Sequence, residues 1–265
     1  MSFEVLVTTM HAGDTSKYRE MNLQTDAVIA NQADACAFLE EEIDGKRVRF
    51  VTTDTRGLSR NRNIAMLYTS ADIILFADDD QVFVDGYETI VSDAFAAHPD
   101  ADAIKFFVQS TNPDRPLSYR RSESFRKANK RSMMSAGVHC LAVKRDFLLR
   151  HDLQFDARIG AGAEIYCGED SVFINRLFKC GAVIYHSPEL LGYVKQEEST
   201  WFSGYTEQYF NSCGYIYGRI YGILSPLACV RRAVRLNRHS HCEWKICRLL
   251  RLMLRGAKAG RRAKR

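Results

Sequence analysis

Long apolar runs, paired cysteines and C-terminal acid are what this sequence lacks, and each absence narrows what the chain can be. No stretch approaches the eighteen or so consecutive apolar residues of a membrane span. The opening "MSFEVLVTTM" has no basic segment leading into a long apolar one, so no secretory signal is expected. The eight cysteines are scattered and none forms a Cys-x-x-Cys pair, which favours a reduced protein with buried thiols over a disulfide framework. His239, His241, Cys242 and Cys247 lie near one another but fit no zinc spacing and sit among arginines, so no zinc site is expected. Neither an internal repeat nor a low-complexity segment precedes the tail.

What is present is an ordinary globular composition. Of 265 residues, 46% are hydrophobic and 26% charged, enough for one large α/β domain with an appendage or for two small domains. The net charge of +5 is unevenly spread. From Ser225 onward 13 Lys and Arg face Glu243 alone, whereas the preceding part holds 24 basic and 31 acidic residues. A mildly acidic body with a strongly basic tail points to attraction to a polyanion or an anionic membrane surface. The expected division is a catalytic unit over 1–224 and a basic extension over 225–265.

Short apolar runs alternate with helical stretches through the first half. Phe3 to Thr9, "TDAVIAN", "RVRFVTT" and Ile73 to Phe76 read as strands, and "CAFLEEEI" and "RNRNIAMLYTS" as helices. Beyond them Tyr87 to Ala97 reads as a helix, Ala103 to Val108 and "AVIYHS" as strands. "STNPDRPLSYRRSESFRKANKRS" reads as an exposed polar excursion. This alternation argues for βαβ units and a mostly parallel α/β sheet. Ligands bind beyond the carboxyl ends of such strands. Thr8, Thr9, Asn31, Gln32 and Asp78 to Asp80 all stand at such ends and are expected to converge.

The stretch "LFADDD" sets three carboxylates at the mouth of a buried strand. Like charges that close repel, and a hard divalent cation with oxygen ligands relieves them. Asp78 and Asp80, two alternate side chains on a tight turn, can meet one metal or one nucleotide; a solvated acidic turn is the plain alternative. "GAGAEIYCGED" ends in Gly168, Glu169 and Asp170 just before the helix "SVFINRLF". Acids there can cap the helix, or, behind the glycines, take a proton from an attacking hydroxyl. Arg56, Arg60 and Arg62 cluster at the start of another helix, where guanidinium forks suit phosphate.

Taken in this order, "FEVLVTT", "VIANQ", "RGLSRNRNIA", "LFADDD", "FDARIGAGAEIYCGEDSVFI" and "VIYHSPELLG" resemble the family-2 glycosyltransferases. The resemblance implies the GT-A fold: a Rossmann-like, mostly parallel nucleotide-binding sheet with helices on both faces, here followed by a helical basic extension. It implies Thr8, Thr9 and Asn31 at the nucleotide base with Gln32 close behind, and Arg62, Asp78 and Asp79 toward the nucleotide. Asp78, Asp80 and His186 would hold Mn²⁺ or Mg²⁺ on the donor diphosphate. Asp170 would be the general base, supported by Glu169, with Arg158, Gly160 and Gly162 shaping the acceptor side. Asn31 stands where many family members carry an acid.

The implied reaction is inverting transfer from a UDP-sugar to a hydroxyl of a glycan or lipid-linked acceptor, in cell-surface polysaccharide synthesis. Two other readings compete. A sugar-1-phosphate nucleotidyltransferase needs a glycine-rich loop and catalytic lysine near the N-terminus, which are missing. A non-catalytic nucleotide-sugar or glycan-binding protein is disfavoured because metal-type and base-type carboxylates are both present. Nucleic-acid binding would account for the tail but not for the aspartates, so none is expected. In the tail, Arg248, Arg251, Arg255, Lys258 and Arg262 recur at helical spacing, with Trp244, Leu250, Met253 and Leu254 elsewhere. Such a helix suits an anionic membrane at the cytoplasmic face, and packing on the body or on another subunit of a homo-oligomer is the alternative.

Overall fold

Apolar runs rich in β-branched and aromatic residues form strands, and these assemble into one ten-stranded sheet. The computed structural model describes residues 1–117, 119–134, 136–196, 204–239 and 244–263. The first half runs β1 (Phe3–Met10), α1 (Lys17–Glu20), β2 (Asp26–Gln32), β3 (Ala37–Ile43), β4 (Lys46–Thr53), α2 (Leu58–Tyr68), β5 (Ile73–Asp78), β6 (Gln81–Phe83) and α3 (Tyr87–Ala97). Then come β7 (Ala103–Ser110), β8 (Arg126–Lys127), α4 (Lys130–Met133), β9 (Leu141–Lys144), α5 (Arg145–Arg150), α6 (Glu169–Lys179) and β10 (Ile184–Val194). Three long helices follow: α7 (Glu207–Tyr221), α8 (Ser225–His239) and α9 (Ile246–Arg262), with a 3₁₀ turn at Gly222–Leu224.

The strand order is β3-β4-β2-β1-β5-β9-β7-β10-β6, with β8 paired to β10 off that path. β4, β2, β1 and β5 are parallel neighbours, as are β7 and β10; β3, β6 and β9 run against theirs. Side chains alternate across the sheet. On one face Val5, Ile29 and Leu75 pack with Tyr18, Val91 and Phe95. On the other Leu6, Val28 and Phe76 pack with Ala65, Phe173 and Leu177. Helices thus cover both faces, and the mostly parallel α/β architecture is the expected one.

One element departs from expectation. The run ending at Ile43 is a strand, not a helix, because Asp44 and Gly45 turn it straight back along β4. Both have positive φ, 53° and 75°, the signature of a two-residue hairpin turn. Glu40 and Glu42 then face Arg49 and Arg47 across the ladder, which matches charge on an edge strand.

The C-terminal helices are built on small residues. At Gly214 and Gly218 of α7, and at Gly256 and Gly260 of α9, the backbone of the facing helix comes into direct contact. A Cβ at Gly214 would lie 1.9 Å from Met253 O, and one at Gly256 would lie 2.0 Å from Asn211 O. α9 turns Leu249, Met253 and Ala257 inward and leaves Arg248, Arg251, Arg255, Lys258 and Arg262 exposed. Its apolar face is therefore spent on α7; Trp244 and Leu250 are half-buried, and Leu254 is exposed. Among the described residues no helix is long and apolar enough to cross a membrane, and seven cysteines are free. His241 and Cys242 lie outside the described residues.

The α7–α9 contact yields a direct test. Gly256→Ala is expected to destabilise the chain by about 1–3 kcal/mol, since its methyl group meets a carbonyl that cannot swing away. Ala259→Ser, on the exposed side of the same helix, should stay within about 0.5 kcal/mol of wild type. Chemical denaturation measures both.

Candidate active site

β1, β2 and β5 end side by side, as parallel strands of one register do. Thr8 stands opposite Asp78, and Thr9 opposite Asn31. Thr9 Oγ1 donates to Asp79 Oδ2 at 2.5 Å. Asn31 is buried and its amide is committed: Nδ2 donates to Ala12 O (2.9 Å) and Thr52 Oγ1 (3.2 Å), and Oδ1 accepts from Ala12 N (3.0 Å). Gln32 Oε1 accepts from Gly57 N at 2.7 Å. These two side chains fix the loop after β1 and the turn before α2. Thr8 Oγ1, buried nearby, has no partner among the described residues.

α2 brings in the central cation. Asn61 Nδ2 donates to Ala30 O (2.8 Å) and Thr9 O (3.2 Å), pinning the helix to the strand ends. The next residue, Arg62, is buried and extends its fork between two acids. Nη2 reaches Asp78 Oδ1 at 2.9 Å and Nη1 reaches Asp170 Oδ1 at 2.6 Å. Burial alone would weaken the hold of Arg62 on its proton, but Asp170 and Asp78 outweigh it and keep the group firmly charged. Burial likewise works against an ionised Asp78, and Arg62 overrides it, holding that carboxyl below the usual range. The two acids remain 38% and 27% exposed while Arg62 is 4% exposed. The carboxylates therefore reach solvent, with the guanidinium sealed beneath them.

Neither Asp79 nor Asp80 makes an ion pair among the described residues. Burial, then Asp78 and Asp79, push the Asp80 carboxyl up to about 6. Among the described residues no three His, Cys, Asp or Glu side chains are gathered as a ready-made metal cage. Magnesium-type sites of one or two carboxylates completed by substrate phosphates and water need no such cage, so Asp80 and Asp78 fit a hard divalent cation. His186 is not brought to them. Its Nε2 meets Ser132 Oγ at 2.9 Å, and the charges that bear on it are Arg126 and Lys105, both cationic.

The second acid pair heads α6 behind a glycine in the left-handed region, Gly168 at φ 90°. Asp170 Oδ2 accepts from Val138 N at 3.2 Å. Glu169 is half-buried; burial and the charge of Asp170 push it up to about 7. The loop before the helix docks on α2: Leu58 N donates to Ala161 O at 2.9 Å. Gly160 faces Ser59, and Gly162 faces Gly57. These two glycines permit a close approach of two backbones. Arg158 binds Asp156 through two bonds of 2.8 Å. Arg219 of α7 holds the same carboxylate at 2.9 Å.

Three further residues belong to the cluster and were not singled out from the sequence. Lys105, 1% exposed in the middle of β7, donates to His139 O and lies 4.9 Å from the Tyr119 ring centre. Tyr119 and His139 side chains meet at 3.3 Å. Burial pushes Lys105 down to about 8, and burial with Lys105 pushes His139 down to about 3, leaving it neutral. Asp78 and Asp170 both act on Lys105, so it is a second cation beneath the site. A lysine inside "AIKFFVQ" was the available signal, since buried strands rarely carry one unpaired.

Residues 25–150 match the family model described as glycosyl transferase family 2. That span includes Arg62 and the three aspartates and ends before Asp170. Comparison with curated proteins gives no match. Among solved structures, S. aureus TarS 1–349 in complex with UDP-GlcNAc is similar with a TM-score of 0.66 and 14% identity, over 92% of this chain and 74% of that one. S. aureus TarS 1–349 alone gives 0.66 and 12%, over 98% and 83%. The full S. aureus TarS structure gives 0.62 and 15%, over 91% and 44%. At these identities the likeness is one of fold.

Removing the shared guanidinium should expose what it restrains. Arg62→Met is expected to cost about 3–5 kcal/mol at neutral pH, because both acids then lose the only cation bonded to them among the described residues. Asp78 has its folded pKa held below the unfolded value near 4. The stability it supplies is therefore present above that value and lost as pH falls through the folded one. The gap between wild type and variant should narrow on acidification below about pH 4; urea unfolding across pH measures it.

Proposed function

We propose that this family-2 glycosyltransferase, built on the GT-A fold, moves a sugar from a UDP-linked donor to a hydroxyl of a glycan or lipid-linked acceptor, with inversion. The family-model match over residues 25–150 supports the reaction class, and the residues suggest how it is run. The observation that carries the reading is the Arg62 fork, which ties Asp78 at the donor strand end to Asp170 at the head of α6 across one open cleft.

The donor enters beyond β1, β2 and β5, with its base against the loop that Asn31 fixes and its diphosphate toward Asp78 and Asp80. The UDP-GlcNAc and UDP complexes of TarS support a uridine donor. Mn²⁺ or Mg²⁺ held by Asp80 and Asp78 would offset charge on the departing diphosphate. Asp170 takes the proton of the acceptor hydroxyl, which grows more acidic as its oxygen bonds to the anomeric carbon. Attack comes from the face opposite the diphosphate, so one displacement inverts the configuration. Glu169, poised near neutrality, holds the acceptor by giving or accepting a hydrogen bond. Residues 1–224 serve as the catalytic unit. The basic exterior of 225–265 holds the enzyme to an anionic membrane, at the cytoplasmic face, for assembly of cell-surface polysaccharide.

Two measurements separate the carboxylates. Asp80→Ala is expected to weaken Mn²⁺-dependent UDP binding by at least about tenfold, while Asp170→Asn keeps donor affinity and loses transfer by about 10²–10⁴-fold. Near-wild-type turnover in Asp170→Asn would remove it as the base. For the donor, calorimetry with Mn²⁺ should rank UDP above GDP and CMP; tighter GDP binding would reverse the assignment.

A further inference from the structure

The turn between α7 and α8 carries the largest apolar exposure near the basic tail. Ile223 is 88% exposed, Leu227 69% and Leu224 59%, with Tyr221 and Val230 at their flanks. α8 explains why. Its buried face is Ser225, Cys229, Ala233 and Leu236, so Leu227 and Val230 point the other way, where a water-facing helix would carry polar groups. The tip is firmly mounted. Arg261 Nη1 donates to Ser225 Oγ at 2.8 Å, and Arg219 Nη1 donates to Ala263 O at 3.0 Å. A rigid, exposed apolar projection marks a contact surface.

Charge identifies what the surface meets. One turn beyond Leu227, α8 presents Arg231 and then Arg235, both exposed. On the other flank Lys130 lies 5.6 Å from the Tyr221 ring centre, with exposed Arg131 beside it. A second copy of this chain would bring these cations against one another. An anionic bilayer matches both parts of the pattern, apolar tip and cationic collar. α9 cannot supply the apolar part, because its apolar face is packed on α7.

We propose that the α7–α8 turn is a membrane-insertion tip: Ile223, Leu224 and Leu227 enter the headgroup–acyl boundary of an anionic bilayer while Lys130, Arg231 and Arg235 meet lipid phosphates. This rests on the membrane-surface reading above and names the element that performs it. Arg219, one turn before the tip, grips Asp156 at the root of the acceptor loop. Seating the tip brings that loop toward the membrane surface, where a lipid-linked hydroxyl would be presented.

The test is flotation of the full chain with phosphatidylglycerol-containing vesicles. Ile223→Ser/Leu224→Ser/Leu227→Ser is expected to weaken binding by at least about a hundredfold, with its unfolding midpoint and UDP-sugar hydrolysis unchanged. Ile223→Trp should gain blue-shifted emission on the same vesicles. If the serine variant floats like wild type and Arg251→Glu/Arg255→Glu/Lys258→Glu abolishes flotation, the tip is wrong and the membrane reading stands. If wild type does not float at any salt concentration, both fall. If wild type sediments as a dimer that the serine variant dissolves, the tip is instead a self-association face.

Discussion

The site depends on one guanidinium shared by two carboxylates that lie far apart in sequence. Asp78 comes from the end of β5 and Asp170 from the head of α6, and Arg62 sits beneath both. A planar fork can engage two acids at once in fixed directions, which a point-charge ammonium cannot. Its position is set by the core. Arg62 lies 5.3 Å from the Phe155 ring centre; Phe155 stacks on Phe173 at 4.0 Å and meets Phe76 edge-on at 5.5 Å. Those rings come from β5, the acceptor-side loop and α6, the segments whose acids must meet. Apolar packing thus places the cation, and the cation places the chemistry.

The two sides of the cleft are held differently. The donor side is a property of the sheet, since parallel strands in register end together. The acceptor side is a loop, and loops need external support. Here α2 supplies it through Ser59, Gly57 and Leu58, and α7 through Arg219 and through Ile216, which fills the space over Gly168. A Cβ at Gly168 would come within 2.7 Å of Ile216. The C-terminal helices are consequently part of the framework that fixes Glu169 and Asp170.

Much of this was legible in the sequence because it rests on short-range pattern. Strand periodicity placed Thr8, Asn31 and Asp78 at neighbouring ends, and "LFADDD" and "CGED" marked the acids. What escaped is what pattern cannot carry. The strand ending at Ile43 has a helical spread of acids, and only the Asp44-Gly45 turn reveals the hairpin. Asn31 and Gln32 stand where expected, yet their amides are used inside the protein, which depends on loops that no spacing predicts. His186 lies on the expected strand, but its ring is turned to Ser132. Lys105 reads as an interruption of an apolar run until the fold brings His139, Tyr119 and Asp78 around it.

Electrostatics set the site and the exterior apart. Arg62 and Lys105 together offset Asp78 and Asp170, but Asp79 and Asp80 add acid at the mouth, where the proposed reading brings a diphosphate. Burial lowers the local dielectric, so this repulsion is stronger than it would be in water. A diphosphate arriving alone would meet it in full, and positive charge arriving with it would remove it. Burial, then Asp78 and Asp79, raise the proton affinity of Asp80 to about 6. The exterior of α8 and α9 has the opposite character, with cations outnumbering acid from Ser225 onward. Beyond a Debye length of about 8 Å charges facing solvent are screened from each other, so a basic exterior need not neutralise an acidic mouth.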